Sequence, residues 1–206
     1  MRLSTDLSCA LFNQPSPSTC LAAALSQTKT VASPKAVAAR GVAAQAAAVD
    51  VGSKLRDLPE YYKQIRKNDG SMMSLSSVVE GASKTLVLFF YPKSFTPGCT
   101  KEACRFRDEY DAFTSAGAEV IGISSDAYSV QQEFKDKHRL PFVVLSDEGD
   151  VVRKGFGVPA AAFGMIKGRM TYVIDKTGVC RMAFNAATDM DAHITEALKV
   201  VKGLQA

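Results

Sequence analysis

The chain has 206 residues, 47% of them hydrophobic, which is enough for one domain with a full core and too few for two large ones. Its net charge of +4 is concentrated at one end: residues 1–46 hold four basic residues and one acid, leaving 21 basic and 20 acidic residues in the remainder. A near-neutral domain with no clustered basic run and no interleaved aromatic platform argues against nucleic-acid binding.

Residues 1–46 are rich in Ala, Ser and Thr and carry Arg2, Lys29, Lys35 and Arg40 against the single acid Asp6. That composition predicts an organelle transit peptide, disordered and removed. A retained disordered tail is the alternative. A secretory signal fits less well, because the apolar patch Leu21–Leu25 is short and badly placed. No run is long enough to span a membrane. The folded domain is then expected over 47–206.

Within it, Val51 to about Arg66 is ambiguous, and Lys67-Asn68-Asp69-Gly70 is a turn signal. Leu75–Val79 reads as a short helical turn. Thr85–Phe90 is continuously apolar and aromatic, the mark of a strand buried on both faces. Two prolines and a glycine then make a tight loop, Tyr91–Gly98, and a helix is expected from Thr100 to about Ser115. Glu119–Ser124 is a buried strand. A helix follows over Ser129–Lys137, with Ser129 as its cap and Gln132 as its capping-box partner. Phe142–Leu145 is a strand ended by Ser146-Asp147-Glu148-Gly149, and Gly155-Phe156-Gly157 is a turn. Arg169–Ile174 and Val179–Phe184 form a hairpin around Asp175-Lys176-Thr177-Gly178, and Asp191–Val201 is an amphipathic closing helix. Strand and helix in alternation, then hairpin and helix, predict an α/β sandwich of thioredoxin-like type.

Chemistry concentrates at the first of these strand-to-helix junctions. Cys99 sits where the loop becomes helix, facing unpaired backbone N–H groups and the positive end of the helix dipole, a place that favours a reactive thiolate. Cys104 follows one and a half turns later. Residues five apart in an intact helix have Cα atoms roughly 8–9 Å apart, whereas a disulfide needs less than about 7 Å. The two bridge only if the helix start unwinds, which suits a catalytic disulfide better than a structural one. The alternative is a Cys104 that is simply a small buried hydrophobe.

Five cysteines do not make a disulfide scaffold in a chain this size. Cys9 and Cys20 lie in the expected presequence, and Cys180, in an alternating strand pattern, reads as a core thiol. Cys-x4-Cys supplies two ligands where zinc takes four, so no metal is expected. Neither His138, near a helix end and expected in solvent, nor His193 is close to the cysteines in sequence. There is no phosphate-binding glycine loop of the Walker or dinucleotide type.

At these residues the chain resembles a known family. Pro92, Thr96 and Cys99 match the peroxiredoxin signature of proline, three residues, threonine, two residues and cysteine. The string Thr96-Pro-Gly-Cys-Thr-Lys-Glu-Ala-Cys104 is similar to the peroxiredoxin Q branch, also called bacterioferritin comigratory protein. The resemblance runs on through Phe106-Arg107-Asp108, Phe156–Pro159 and Gly168–Asp175, and covers most of Leu86 to Leu204.

The resemblance implies a thioredoxin-like fold, a central mixed sheet flanked by helices. It implies a thiol-dependent peroxidase acting on hydrogen peroxide and alkyl hydroperoxides without a cofactor. Cys99 would be the peroxidatic thiolate and become a sulfenic acid. Cys104 would resolve it as an intramolecular Cys99–Cys104 disulfide, and thioredoxin or a similar dithiol would reduce that bond. Thr96 would hold sulfur and peroxide by its hydroxyl, and Pro92 would shield the sulfenic acid. Arg169 would favour the thiolate and polarise the peroxide, and the Cys99 backbone N–H would add a donor. Glu102 matches a position usually held by Gln or Glu and would orient the pocket, unless it is only a solvated carboxylate near a helix start. Ser94 and Phe95 stand where relatives often carry acidic or polar residues. Phe95 either makes an apolar pocket rim that favours bulkier peroxides or covers core surface. Pro59–Tyr62 departs from the family's strand pattern. The resemblance favours a monomer in a plastid, in stroma or thylakoid lumen, over a mitochondrial protein. A redox sensor with no turnover is the second reading, and a general disulfide oxidoreductase, lacking Cys-x-x-Cys, the third.

Overall fold

The computed structural model describes residues 48–160 and 165–205, so the transit-peptide reading of 1–46 lies outside the described residues. A 3₁₀ turn at Leu55–Asp57 and α1 (Pro59–Tyr62) lead into β1 (Ile65–Lys67) and β2 (Met72–Met73), followed by a π-helical turn at Ser77–Gly81. Then come β3 (Thr85–Phe90), α2 (Pro97–Asp108), α3 (Tyr110–Ser115), β4 (Ala118–Ser124), α4 (Tyr128–His138) and β5 (Val143–Ser146). The chain ends through α5 (Val151–Gly155), β6 (Met170–Ile174), β7 (Cys180–Phe184) and α6 (Met190–Gly203).

The strands form one mixed sheet in the order β2-β1-β5-β4-β3-β6-β7. β3 pairs parallel with β4, and β4 with β5, while β6 runs antiparallel to β3 and β7 to β6. This is the mixed sheet with flanking helices that a thioredoxin-like chain requires. The ambiguous segment 51–66 supplies α1 and β1, and β1 extends the sheet by pairing antiparallel with β5.

β3 shows why its sequence is apolar throughout. Leu86, Leu88 and Phe90 enter one core with Leu55, Tyr61, Val152 and Phe156. Val87, Phe89 and Tyr91 enter the other, with Phe106, Phe134, Ile194 and Val201. A strand with helices on both faces has no solvent side, so alternation disappears. The fit on the second face is close: a Cβ at Gly122 would stand 2.8 Å from Phe89 Cζ, so the Phe89 ring lies on bare backbone.

Two local expectations need correction. The helix after the loop starts at Pro97, not Thr100, because a proline at the first helical position is pre-set for helical φ. It ends at Asp108, and Glu109 breaks it from α3. The capping box at Ser129 does not form. α4 begins at Tyr128 with Ala127 as cap, so Ser129 falls inside the first turn. Gln132 instead donates to the Asp136 carboxylate at 2.8 and 2.9 Å and accepts from Asn68 Nδ2 at 2.8 Å, tying α4 to the β1–β2 hairpin. The closing helix is capped as its sequence allows: Asp189 accepts from the Ala192 amide at 3.0 Å.

Candidate active site

β3 delivers the chain to a loop that is fixed from below. The Tyr91 hydroxyl donates to Gln131 Oε1 at 2.5 Å, and Ser94 Oγ donates to the same oxygen at 3.2 Å. The Ser94 amide donates to Asp126 Oδ2 at 2.7 Å, and Gln131 is itself held by Ser124 Oγ at 2.6 Å. Ser94, a departure from relatives in the sequence, is therefore a buried anchor of the loop. Phe95 adopts a left-handed backbone, φ 63°, unusual for a bulky side chain and costing on the order of 1–3 kcal/mol. Its 37%-exposed ring turns onto α4, 5.2 Å from Phe134 and 6.1 Å from His138, with Lys137 Nζ 5.4 Å from its centroid.

Thr96 caps α2 with extended backbone and no side-chain cap bond. Its hydroxyl donates to the Lys93 carbonyl at 3.0 Å, which leaves the oxygen's lone pairs as acceptors. The Thr100 amide takes the Thr96 carbonyl at 2.9 Å, so the Gly98 and Cys99 amides precede it among the helix's orphan donors. Pro92 is half-buried beside this turn.

Cys99 is 2% exposed, and Arg169 Nη2 donates to its sulfur at 3.4 Å. Arg169 stands at the entry to β6, so the sheet order brings residue 169 to residue 99. A Cβ at Gly98 would come within 3.4 Å of both Arg169 Nη2 and Met190 Cε, and the glycine thereby leaves the guanidinium room to lie against the helix start. Behind the arginine, Glu102 is fully buried and ion-paired with Arg169 Nη1. Burial drives its carboxyl upward to about 7 against the opposing pull of Arg169. The solvated reading of Glu102 is thus overturned: the carboxylate faces inward because the turn carrying Cys99 packs against the sheet on that side.

Three further residues shape the site without a signal in the sequence. Arg153, nearly buried on α5, donates to the Tyr91 carbonyl and the Gly168 carbonyl, each at 2.7 Å. It joins the strand end before Cys99 to the residue before Arg169. His193 on α6 lies 3.8 Å from Glu102 Oε1. Its Nε2 donates to the Ala186 carbonyl at 2.9 Å, so Nδ1 accepts from Thr171 Oγ1 at 2.8 Å, and burial lowers its proton affinity. His138, expected in solvent, is half-buried with Nδ1 4.0 Å from Cys104 Sγ. Only folding brings these residues to the cysteines.

Cys99 and Cys104 are free thiols on one intact helix. Five residues of α-helix separate their side chains by about 140° around the axis. Cys99 accordingly faces Arg169 while Cys104 faces α4. Among the described residues no cluster of His, Cys, Asp and Glu could hold a metal ion.

The AhpC/TSA family model matches residues 54–183. Peroxiredoxin Q, chloroplastic, of Oryza sativa subsp. japonica is 50% identical over 140 residues, 68% of this chain. The match spans 63% of that relative's own length. Two solved structures are similar. Peroxidoxin BcpB from Mycobacterium tuberculosis has a TM-score of 0.68 and 31% identity, covering 77% of this chain and 99% of that one. Xanthomonas campestris peroxiredoxin Q has a TM-score of 0.66 and 25% identity, covering 72% and 96%.

Proposed function

Since the chain belongs to the AhpC/TSA family, in its peroxiredoxin Q or bacterioferritin comigratory protein branch, we propose that it is a thiol peroxidase with Cys99 as nucleophile and Cys104 as resolving thiol. The observation that carries this reading is the Arg169 N–H directed at the buried Cys99 sulfur across 3.4 Å. A fixed, permanently charged donor beside a thiol at a helix start favours the anion, and the anion is the nucleophile.

The Cys99 thiolate attacks the terminal oxygen of a hydroperoxide. The O–O bond breaks, the sulfur is oxidised to a sulfenic acid, and the departing alkoxide or hydroxide takes a proton to leave as alcohol or water. Arg169 and the Cys99 backbone amide donate to the peroxide oxygens as charge moves onto the leaving atom. Thr96 offers its oxygen as acceptor to the peroxide O–H, and Pro92 closes the loop over the sulfur. Glu102 keeps the guanidinium in place through the opposite nitrogen.

Resolution requires α2 to open. The first turns are tied down by exposed ion pairs of Lys101 and Arg105 with Asp191, at 2.7 and 2.8 Å. Such exposed pairs are screened by solvent and give way readily. Cys104 then condenses with the sulfenic acid to the Cys99–Cys104 disulfide, releasing water, and an external dithiol of the thioredoxin type reduces it. The relative's printed name, Peroxiredoxin Q, chloroplastic, supports a plastid setting for this cycle.

Steady-state peroxide consumption with thioredoxin and its reductase tests the scheme. Cys104→Ser is expected to complete one round of peroxide reduction and stop. Full thioredoxin-driven turnover in that variant defeats the two-cysteine cycle, and no consumption by the unaltered protein leaves the redox-sensor reading.

A further inference from the structure

We propose that His138 is the general base of the resolving step, taking the proton of the Cys104 thiol and returning it to the hydroxide that leaves Cys99. This rests on the reading of Cys104 as resolving thiol and adds the group that makes it reactive.

The geometry places the proton. Cys104 Sγ and His138 Nδ1 are 4.0 Å apart, within the reach of a sulfur hydrogen bond. The imidazole is held in that direction: its ring packs against Phe134 at 5.0 Å and Phe95 at 6.1 Å. Its backbone is held as well, because Arg107 Nη1 donates to the His138 carbonyl at 2.9 Å. The contact thus joins the third turn of α2 to the last residue of α4.

The charge around the imidazole is mixed, the helix end favouring its protonated form and the neighbouring cations opposing it. His138 closes α4, where the helix dipole favours an imidazolium. The Arg107 guanidinium, one residue from Asp108 and three from Cys104 along α2, is within electrostatic range of the Cys104 sulfur. The charged groups facing the imidazole are Lys137 and Arg107, the latter also paired with Asp108 at 2.8 Å. Burial, then Lys137 and Arg107, hold His138 below the ordinary histidine range, so it is neutral and able to accept near neutral pH. The strained Phe95 backbone gains a role here: it aims the ring at the imidazole.

The step balances. The Cys104 S–H bond breaks and Nδ1 takes the proton. The Cys104 sulfur attacks Cys99 Sγ of the sulfenic acid as α2 opens, an S–S bond forms, and the S–O bond breaks. Hydroxide leaves and receives the proton from the imidazolium as water. The oxidising equivalents are those the peroxide left on Cys99.

The test is a single-turnover experiment on the whole protein. Reduced protein receives one equivalent of hydrogen peroxide, samples are quenched with dimedone and an alkylating agent, and mass spectrometry follows sulfenic acid and disulfide separately. His138→Phe keeps the ring packing, and His138→Gln keeps a hydrogen-bonding group; neither is a base. In both, sulfenic acid should form at the unaltered rate, while disulfide formation at pH 7 should slow roughly 10- to 30-fold, since only a few per cent of an unassisted thiol is ionised there. The slowed step should rise with pH toward the range of free cysteine and should be partly restored by added imidazole. Disulfide formation at the unaltered rate in both variants overturns the proposal, as does a slowing that neither pH nor imidazole relieves. Failure of the unaltered protein to form a 99–104 disulfide defeats instead the assignment of Cys104, a distinct outcome.

Discussion

Cys99 and Cys180 are equally dry, yet their surroundings assign them opposite chemistry. Cys180 lies on β7 and donates its thiol proton to the Met182 carbonyl at 3.2 Å. Burial pushes it up to about 11, and the anions Asp50 and Asp175 act in the same direction. Cys99 meets an arginine N–H and the free amides of a helix start. Burial alone makes a thiol a small hydrophobe, whereas fixed donors beside it are what the proposed nucleophile needs. Cys104 is a third case, half-buried and facing an imidazole.

The largest expected effect breaks this comparison outright if it fails. Cys99→Ser should lower peroxide consumption by at least about 10³-fold, the scale on which losing a covalent nucleophile is felt. Cys180→Ala should leave it within about twofold and cost only about 1 kcal/mol of stability by urea unfolding. Equal losses in the two variants would mean that Cys180 also works.

Arg169→Met keeps the length of the side chain and removes the donors. It should lower kcat/KM by about 10²–10³-fold, as loss of a preorganised donor does, and second-order rates with hydrogen peroxide will measure it. A loss under about threefold would show that burial and the helix start suffice without the cation.

Oxidation should loosen one region and spare the other. Limited trypsin digestion is expected to cut near Lys101 and Arg105 faster in the disulfide form, because α2 has opened, while cutting at Arg181 beside Cys180 should be the same in both forms. Identical digestion of both forms would contradict helix opening.

Glu102 sharpens the contrast through pH. Its carboxyl is raised from an ordinary 4.5 to about 7, so between those values the folded protein holds a proton that the unfolded chain has released. Stability should therefore fall as pH rises through that window, by up to roughly 1.4 kcal/mol per unit. Urea unfolding of Glu102→Gln should show a flatter profile; an unchanged slope would place the titration elsewhere.

The smallest effect concerns Phe95. Phe95→Ser should shift the ratio of cumene hydroperoxide to hydrogen peroxide turnover by only a few-fold, since its ring turns onto α4. An unchanged ratio removes Phe95 from substrate selection.

Much of the site was legible because its chemistry is local. The apolar run Thr85–Phe90, the prolines around Phe95 and the two cysteines five apart place strand, loop and reactive helix within twenty residues. Helix geometry then says that the thiols cannot meet without unwinding. Boundaries were less legible where neighbours compete, as at Ser129, whose capping pattern lost to a helix starting one residue earlier.

Sequence by itself pointed to the α/β fold and to the two cysteines five apart that the proposed cycle uses, because periodicity and spacing are properties of adjacent residues. Only the tertiary structure decided that Glu102 points inward, that Arg153 joins two distant carbonyls, and that His138 and His193 reach the machinery. A charge or an imidazole acquires its role from what it faces. Those faces are set by the antiparallel β3–β6 pairing and the packed helices that bring residue 169 beside 99 and residue 138 beside 104.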